Sequence, residues 1–196
     1  MGGVFSVNIG SDTYDEFVQK VRKFHGGPAG GVILGGMMLD MAQRNLPAEG
    51  MFDAICETDK CLPDAIQMLT PCTIGNGWMR IINSGRFSVT LYDKRSGSGV
   101  RVFVNASKVK NFQDMDNWFS SLIPKAEQSR ERLLAAIRDH GRDVLDLQRV
   151  KVDINALPDK EMVNYVICDN CHESCLPTAR GICLSCQGQA YITPVE

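Results

Sequence analysis

Between Asp12 and Phe24, apolar residues recur at helical spacing, with Phe17, Val21 and Phe24 on one stripe and Val18 beside it. The pattern predicts an amphipathic helix, started by Ser11 or Asp12 as cap and ending at His25. A glycine-rich link, Gly26 to Gly31, leads to a second helix from Val32 to about Asn45, whose body carries Gly35-Gly36 and the methionines 37, 38 and 41. Glycine costs about 1 kcal/mol relative to alanine inside a helix, so the pair implies close approach by another backbone or helix. That helix is therefore the expected contact surface of a homodimer. Met51 to Cys56 alternates and predicts a strand. Leu62 to Leu69 predicts a short helix, because Pro63 suits a first turn and Ala65, Ile66 and Leu69 share a face.

Beyond Gly77 the period shortens to two. Met79–Asn83, Arg86–Tyr92 and Val100–Val104 are β-rich runs joined by Ser84-Gly85 and by Lys94 to Gly99, and they predict an antiparallel meander. A short helix over Asp114 to Trp118 follows, then a longer one from about Pro124 to His140, stopped by Gly141. Glu127, Arg130, Glu131 and Arg138 read as its solvated face. Arg149 to Ile154 predicts a last strand, and Leu157-Pro158-Asp159-Lys160 a boundary. The expected organisation is an α+β core over 1–160, an antiparallel or mixed sheet with packed helices, and a small cysteine-rich domain over 161–196. The first ten residues carry no pattern and read as a loose arm.

Composition narrows the class. At 196 residues, 44% hydrophobic and 22% charged, the chain can bury one substantial core and support an appendage. A net charge of −2 and a pI near 5.9 exert no general pull toward nucleic acid or anionic membrane. The apolar run Gly31 to Ala42 is far shorter than the roughly 20 residues of a membrane helix, and no basic-then-apolar leader opens the chain. A cytoplasmic protein with no membrane contact is the expectation. In that compartment eight cysteines point to metal ligands or redox thiols rather than to disulfides.

Four of them stand as Cys168-x2-Cys171 and Cys183-x2-Cys186, with eleven residues between the pairs. Two such turns aim four thiolates at one point, the donor set of a structural zinc. Four cysteines also hold iron–sulfur clusters, but the two separated pairs favour zinc. A tail this short builds no hydrophobic core, so the metal would supply most of its folding energy. His172 and Cys175 lie outside the paired symmetry. Lys160 and Arg180 face Asp159, Glu161, Asp169, Glu173 and Glu196, a balance that opposes contact with nucleic-acid phosphates and favours a structural clip or protein-contact module.

A second chemical signal lies between Thr58 and Gly77. Cys61 opens the short helix, where backbone N–H groups and the helix dipole favour a thiolate, and Cys72 follows the helix in Pro71-Cys72-Thr73-Ile74-Gly75. His25 ends the first long helix. The three are expected to meet in one cleft, either as ligands of a second metal or with Cys61 as nucleophile and His25 as base. The glycines between 26 and 31 have neither the Walker spacing nor a preceding strand, so they make no nucleotide site.

Cys61-Leu62-Pro63-Asp64-Ala65-Ile66-Gln67 followed by Cys72-Thr73-Ile74-Gly75, with Phe24-His25-Gly26 and Gly31 upstream, resembles the E-subunit family of formylmethanofuran dehydrogenase. The likeness spans roughly Tyr14 to Val104 and returns in the cysteine-rich tail. It implies an α+β core, a treble-clef-like finger, a dimer, and association with molybdenum or tungsten formylmethanofuran enzymes. One departure stands out. Where the family's motif resembles His-Gly-His-x-Cys-Pro-Gly, this chain reads His25-Gly26-Gly27-Pro28-Ala29-Gly30-Gly31, with Gly27 and Ala29 in place of a histidine and a cysteine. Two function classes follow: a redox-associated or metal-handling protein with a His/Cys core site, or a non-enzymatic scaffold that dimerises through its core and contacts partners through its finger.

Overall fold

The structure, a computed structural model, describes residues 8–47, 50–158 and 164–189. The expected loose arm as far as Val7, and Asp159-Lys160 of the expected boundary, lie outside the described residues. The chain divides into two units, Met1–Leu157 and Pro158–Glu196. The first begins with a two-residue antiparallel pair, β1 (Asn8–Ile9) and β2 (Asp12–Thr13), that runs directly into α1 (Tyr14–His25). Thr13 is the cap, rather than Ser11 or Asp12. Its hydroxyl accepts the Glu16 N–H while the Glu16 carboxylate accepts the Thr13 N–H, a reciprocal capping box. The buried stripe is Tyr14, Phe17, Val18 and Val21. Phe24, expected on that stripe, is 55% exposed; Tyr14 fills the other end of it, with its hydroxyl donating to the Leu134 carbonyl.

Helix α2 (Gly30–Arg44) is buried at every position from Gly31 to Asp40, so it is the hub of the core rather than a surface helix. A β-carbon at Gly35 would sit 2.8 Å from that of Ala65, and one at Gly36 would collide with the Phe17 ring. The two glycines thus admit two different neighbours of the same chain. This corrects the expectation that Gly35-Gly36 forms a dimer surface, because both close approaches are already taken. Asp40, buried on the same helix, accepts the Gly10 N–H and pairs with Arg44 and Arg142, tying the β1–β2 turn to the core.

After α2 come β3 (Phe52–Cys56), α3 (Leu62–Leu69), β4 (Met79–Ile81), β5 (Ser88–Asp93) and β6 (Ser98–Val104). Two short helices follow, α4 (Ala106–Val109) and α5 (Gln113–Phe119), then α6 (Arg130–His140) and β7 (Leu145–Lys151). The mixed sheet has the order β4-β3-β5-β6-β7. The expected hairpin between β4 and β5 does not form. Strand β3 lies between them, and β4 runs parallel to β3, with Ala54 opposite Met79. Strand, helix and parallel strand make a crossover unit, which reverses direction through α3 rather than through Ser84-Gly85. The remaining pairs are antiparallel, as expected of β5 and β6, and β7 closes the far edge from Val104↔Leu145 to Ser98↔Lys151. It starts earlier than Arg149, and Ile154–Ala156 is a 3-10 turn capped by Asp153. The helix expected from Pro124 is interrupted: Lys125–Glu127 forms a 3-10 turn, and Ser129 caps α6 afresh by accepting the Arg132 N–H.

The second unit holds a small antiparallel pair, β8 (Val166–Ile167) with β9 (Ser174–Cys175), and a single helical turn over Ser185–Gln189 in which Gly188 has φ +89°. No helix among the described residues is long and apolar enough to cross a membrane.

The packing at Gly36 yields a direct test. Gly36→Ala gains about 1 kcal/mol of helix propensity, yet it should destabilise the protein by roughly 1–3 kcal/mol, because Phe17 has to leave its seat. Urea unfolding followed by circular dichroism measures this. A stabilised variant would show that the Phe17 contact is not tight.

Candidate metal centre and thiol site

In the tail, Cys168, Cys171, Cys183 and Cys186 place their sulfur atoms within 4.8 Å of one another. The Cys168–Cys186 separation is 3.9 Å and the Cys171–Cys183 separation 3.8 Å. Tetrahedral zinc with Zn–S bonds of about 2.3 Å has sulfur–sulfur edges of about 3.8 Å, so the thiols already stand at the corners of such a site. The surrounding backbone is organised for negative charge. The Cys183 N–H donates to Cys168 Sγ at 3.2 Å, the Cys186 N–H to Cys183 Sγ at 3.4 Å, and the Asn170 amide to Cys186 Sγ at 3.2 Å. Donation from the backbone of Cys171 and Cys183 lowers the Cys168 thiol to about 6, while the thiols crowded around Cys171 and Cys186 raise those two despite the donation they receive. The set can hold a metal ion such as zinc. His172 and Cys175 are outside it, as their spacing indicated.

The core site is arranged differently. Cys61, at the start of α3, has φ 56° and ψ −45°, and the Leu62 N–H reaches back to the Lys60 carbonyl at 2.5 Å. This is a γ-turn of the strained, positive-φ kind, a conformation that costs on the order of 1–3 kcal/mol in a residue other than glycine. Gly31 makes room for it: a β-carbon there would lie 2.8 Å from Cys61 Cβ and 3.0 Å from its sulfur. The thiol borders a cavity of about 850 Å³ whose walls include His25, the glycine loop, Trp118, Lys125 and Arg130. His25 Nδ1 lies 2.5 Å from the Asp64 carboxylate, with both side chains about one-third exposed.

His25 and Cys61 therefore share a cavity, and Cys72 does not join them. Cys72 is buried, donates to the Phe52 carbonyl at 3.3 Å and lines a separate cavity of about 480 Å³ with Trp78 and Lys94. The reason is helical length: eight residues of α3 span about 12 Å, and the two cysteines lie at its opposite ends. The expected thiolate at Cys61 is also not what the surroundings favour. Burial, and then Asp64, push the thiol up from its ordinary value, against Lys125 and Lys60. Cys56 is a core thiol, donating to the Thr58 carbonyl and pushed up to about 11 by burial. Among the described residues the four tail cysteines are the one group of three or more such donors within metal-binding reach, so no three-ligand set is preassembled in the core.

A family model described as FmdE, molybdenum formylmethanofuran dehydrogenase operon, matches residues 24–154, more than half of the chain. The chain belongs to the FmdE family. The match takes in His25, Cys61 and Cys72 and ends before the cysteine-rich tail. The crystal structure of a tungsten formylmethanofuran dehydrogenase FmdE-like protein from Syntrophus aciditrophicus is similar throughout: 45% identity, TM-score 0.80, covering 97% of this chain and 100% of that one. A curated protein of Archaeoglobus fulgidus, named a probable S-adenosyl-L-methionine-binding protein, is 28% identical over 192 residues, 88% of this chain and 52% of its own length. The chain thus spans about half the length of that curated relative.

In this FmdE-family chain, Asp64 is the partner of His25 that sequence reasoning misses. The available signal is an acid three places after Cys61, in the first turn of the same helix. Arg130 is exposed, as expected of a solvated helix face, and with Lys125 it also borders this cavity.

For the metal centre, Cys171→Ser should release the ion and abolish protease resistance of the tail while leaving the melting of the larger unit largely intact. Elemental analysis with limited proteolysis measures both. Full metal content in the variant would sink the assignment.

Proposed function

We propose that this FmdE-family protein binds one structural zinc through its tail and carries, in its core, a redox-associated thiol site in which Cys61 reacts and His25 serves as its base. The observation that carries the reading is Cys61 itself. A strained turn borders a cavity, and the missing side chain of Gly31 leaves the space the turn occupies. Backbone strain of that kind is concentrated at functional sites, and here it sets the direction of a thiol beside a cavity. Zinc is the proposed metal of the tail because four thiolates in tetrahedral spacing suit it, and because so small a unit takes its folding energy from the ion. A second metal in the core would require His25 and Cys61 to recruit further donors, since Gly27 and Ala29 offer none; the thiol reading requires no such movement.

The second reading, a scaffold, is favoured by the tail's surface. Tyr165, Ile167, Leu176 and Leu184 are each half exposed or more within the small second unit, more apolar surface than a clip alone uses. The proposed partners are a second copy of the chain and components of a molybdenum or tungsten formylmethanofuran enzyme, in line with the names of the family and of the Syntrophus protein. The proposed location is the cytoplasm. The name of the Archaeoglobus relative raises S-adenosyl-L-methionine as a ligand to try in binding assays.

Iodoacetamide labelling of the folded protein, read by peptide mass spectrometry, tests the thiol site. Cys61 should label well ahead of Cys56 and Cys72, and Gly31→Ala, which displaces the turn, should slow Cys61 severalfold. Equal labelling of all three would leave Cys61 an ordinary core thiol. The metal count separates the alternatives in the same preparation: one zinc per chain accords with the finger alone, and two would reinstate a core metal.

A further inference from the structure

Asp64 occupies the third position of α3, counting from the cap at Cys61. At the corresponding position of α1, Glu16 turns back to its own cap and closes a capping box with Thr13. Asp64 does something else. Its carboxylate reaches across to α1 and takes His25 Nδ1 at 2.5 Å, a contact between residues 39 apart in sequence. The bond occupies Nδ1 and leaves Nε2 as the ring nitrogen available to a second partner, and His25 and Cys61 line the same cavity.

We propose that Asp64 is a positioning residue for His25: it fixes the ring through Nδ1–H so that Nε2 accepts the Cys61 proton, making Cys61, His25 and Asp64 a thiol–imidazole–carboxylate relay. The inference rests on the reading of Cys61 and His25 as thiol and base. The step is a proton transfer alone. The Sγ–H proton moves to Nε2, sulfur keeps the electron pair as a thiolate, and the imidazolium that results is stabilised by the carboxylate on its other nitrogen. A base is required here, because burial holds an unassisted Cys61 in its protonated form at neutral pH. The charged and titratable groups around the thiol are Asp64 on its own helix, Lys60 in the turn before it, His25 at the end of α1, Lys125 in the 3-10 turn before α6, and Arg130 at the start of α6.

The placement of Asp64 allows two roles with opposite signs. A carboxylate close to Cys61 that acts only through its charge repels a thiolate, so its removal should speed alkylation. One that orients His25 should slow alkylation when removed. The test is the rate of iodoacetamide labelling at Cys61 in the intact zinc-loaded protein, from pH 5 to 9, for the unmodified chain, Asp64→Asn, Asp64→Glu, His25→Gln and the Asn/Gln double variant. Expected are slowing by about tenfold or more at pH 7 in both single neutral variants, loss of the same limb of the pH profile in each, no further slowing in the double variant, and substantial recovery with Asp64→Glu. Thermal melting checks that each variant is folded, and the glutamate variant keeps the comparison valid if Asp64→Asn unfolds. Faster labelling in Asp64→Asn, or an unchanged rate while His25→Gln slows, overturns the role of Asp64 and leaves the thiol–base reading standing. An unchanged rate in His25→Gln overturns both.

Discussion

Nearly everything in the larger unit is placed by the absence of side chains along one helix. α2 is enclosed through its whole middle, and an enclosed helix can be approached only as closely as its own β-carbons permit. At Gly31, Gly35 and Gly36 there are none. Cys61, α3 and α1 each use one of those gaps, at Gly31, Gly35 and Gly36 in turn. Because α3 is seated on α2 in this way, β4 is delivered parallel to β3, and the N-terminal end of α3 is delivered to the loop that leaves α1. The fold and the site are products of the same contact.

Chemically, two cysteines in this chain show how little residue type decides. Cys168, the first of its CxxC pair, meets backbone N–H groups that favour its thiolate. Cys61 stands at a chain reversal and at a helix N-terminus, yet burial outweighs the dipole and it remains a thiol. Field strength near a helix end is modest, of the order of 0.3–1 kcal/mol when exposed, and loss of solvent easily exceeds it. One site therefore has the donors to hold a metal ion. The other surrounds its cysteine with conditions that favour the neutral thiol.

The local features were legible in the sequence. The stripe of α1, the apolar body of α2, Pro63 at the start of α3, and the β5 and β6 runs all follow from period and turn chemistry, and the paired CxxC spacing anticipated the tail's donor set. What escaped depends on long-range geometry. No pattern within Met79–Ile81 says that its partner is β3 rather than β5, since pairing across a helical crossover leaves no mark in either strand. That His25 and Cys61 border one cavity follows from their positions at element ends. The exclusion of Cys72 needed the length of α3 in ångströms rather than in residues. Asp64 has the look of a routine first-turn acid, and only the position of α1 shows what it bonds.

Gly31 and Cys61 also bear on how such a chain can change over generations. The clash at position 31 is with the β-carbon of residue 61 as well as with its sulfur. Exchanging the thiol for serine or alanine would therefore not free position 31; the turn itself would have to relax, or residue 61 become glycine. Single substitutions lead away from the cysteine in many directions and away from the glycine in almost none. A lineage that exchanged the cysteine would therefore still carry the glycine, as a record of the turn that once presented a thiol.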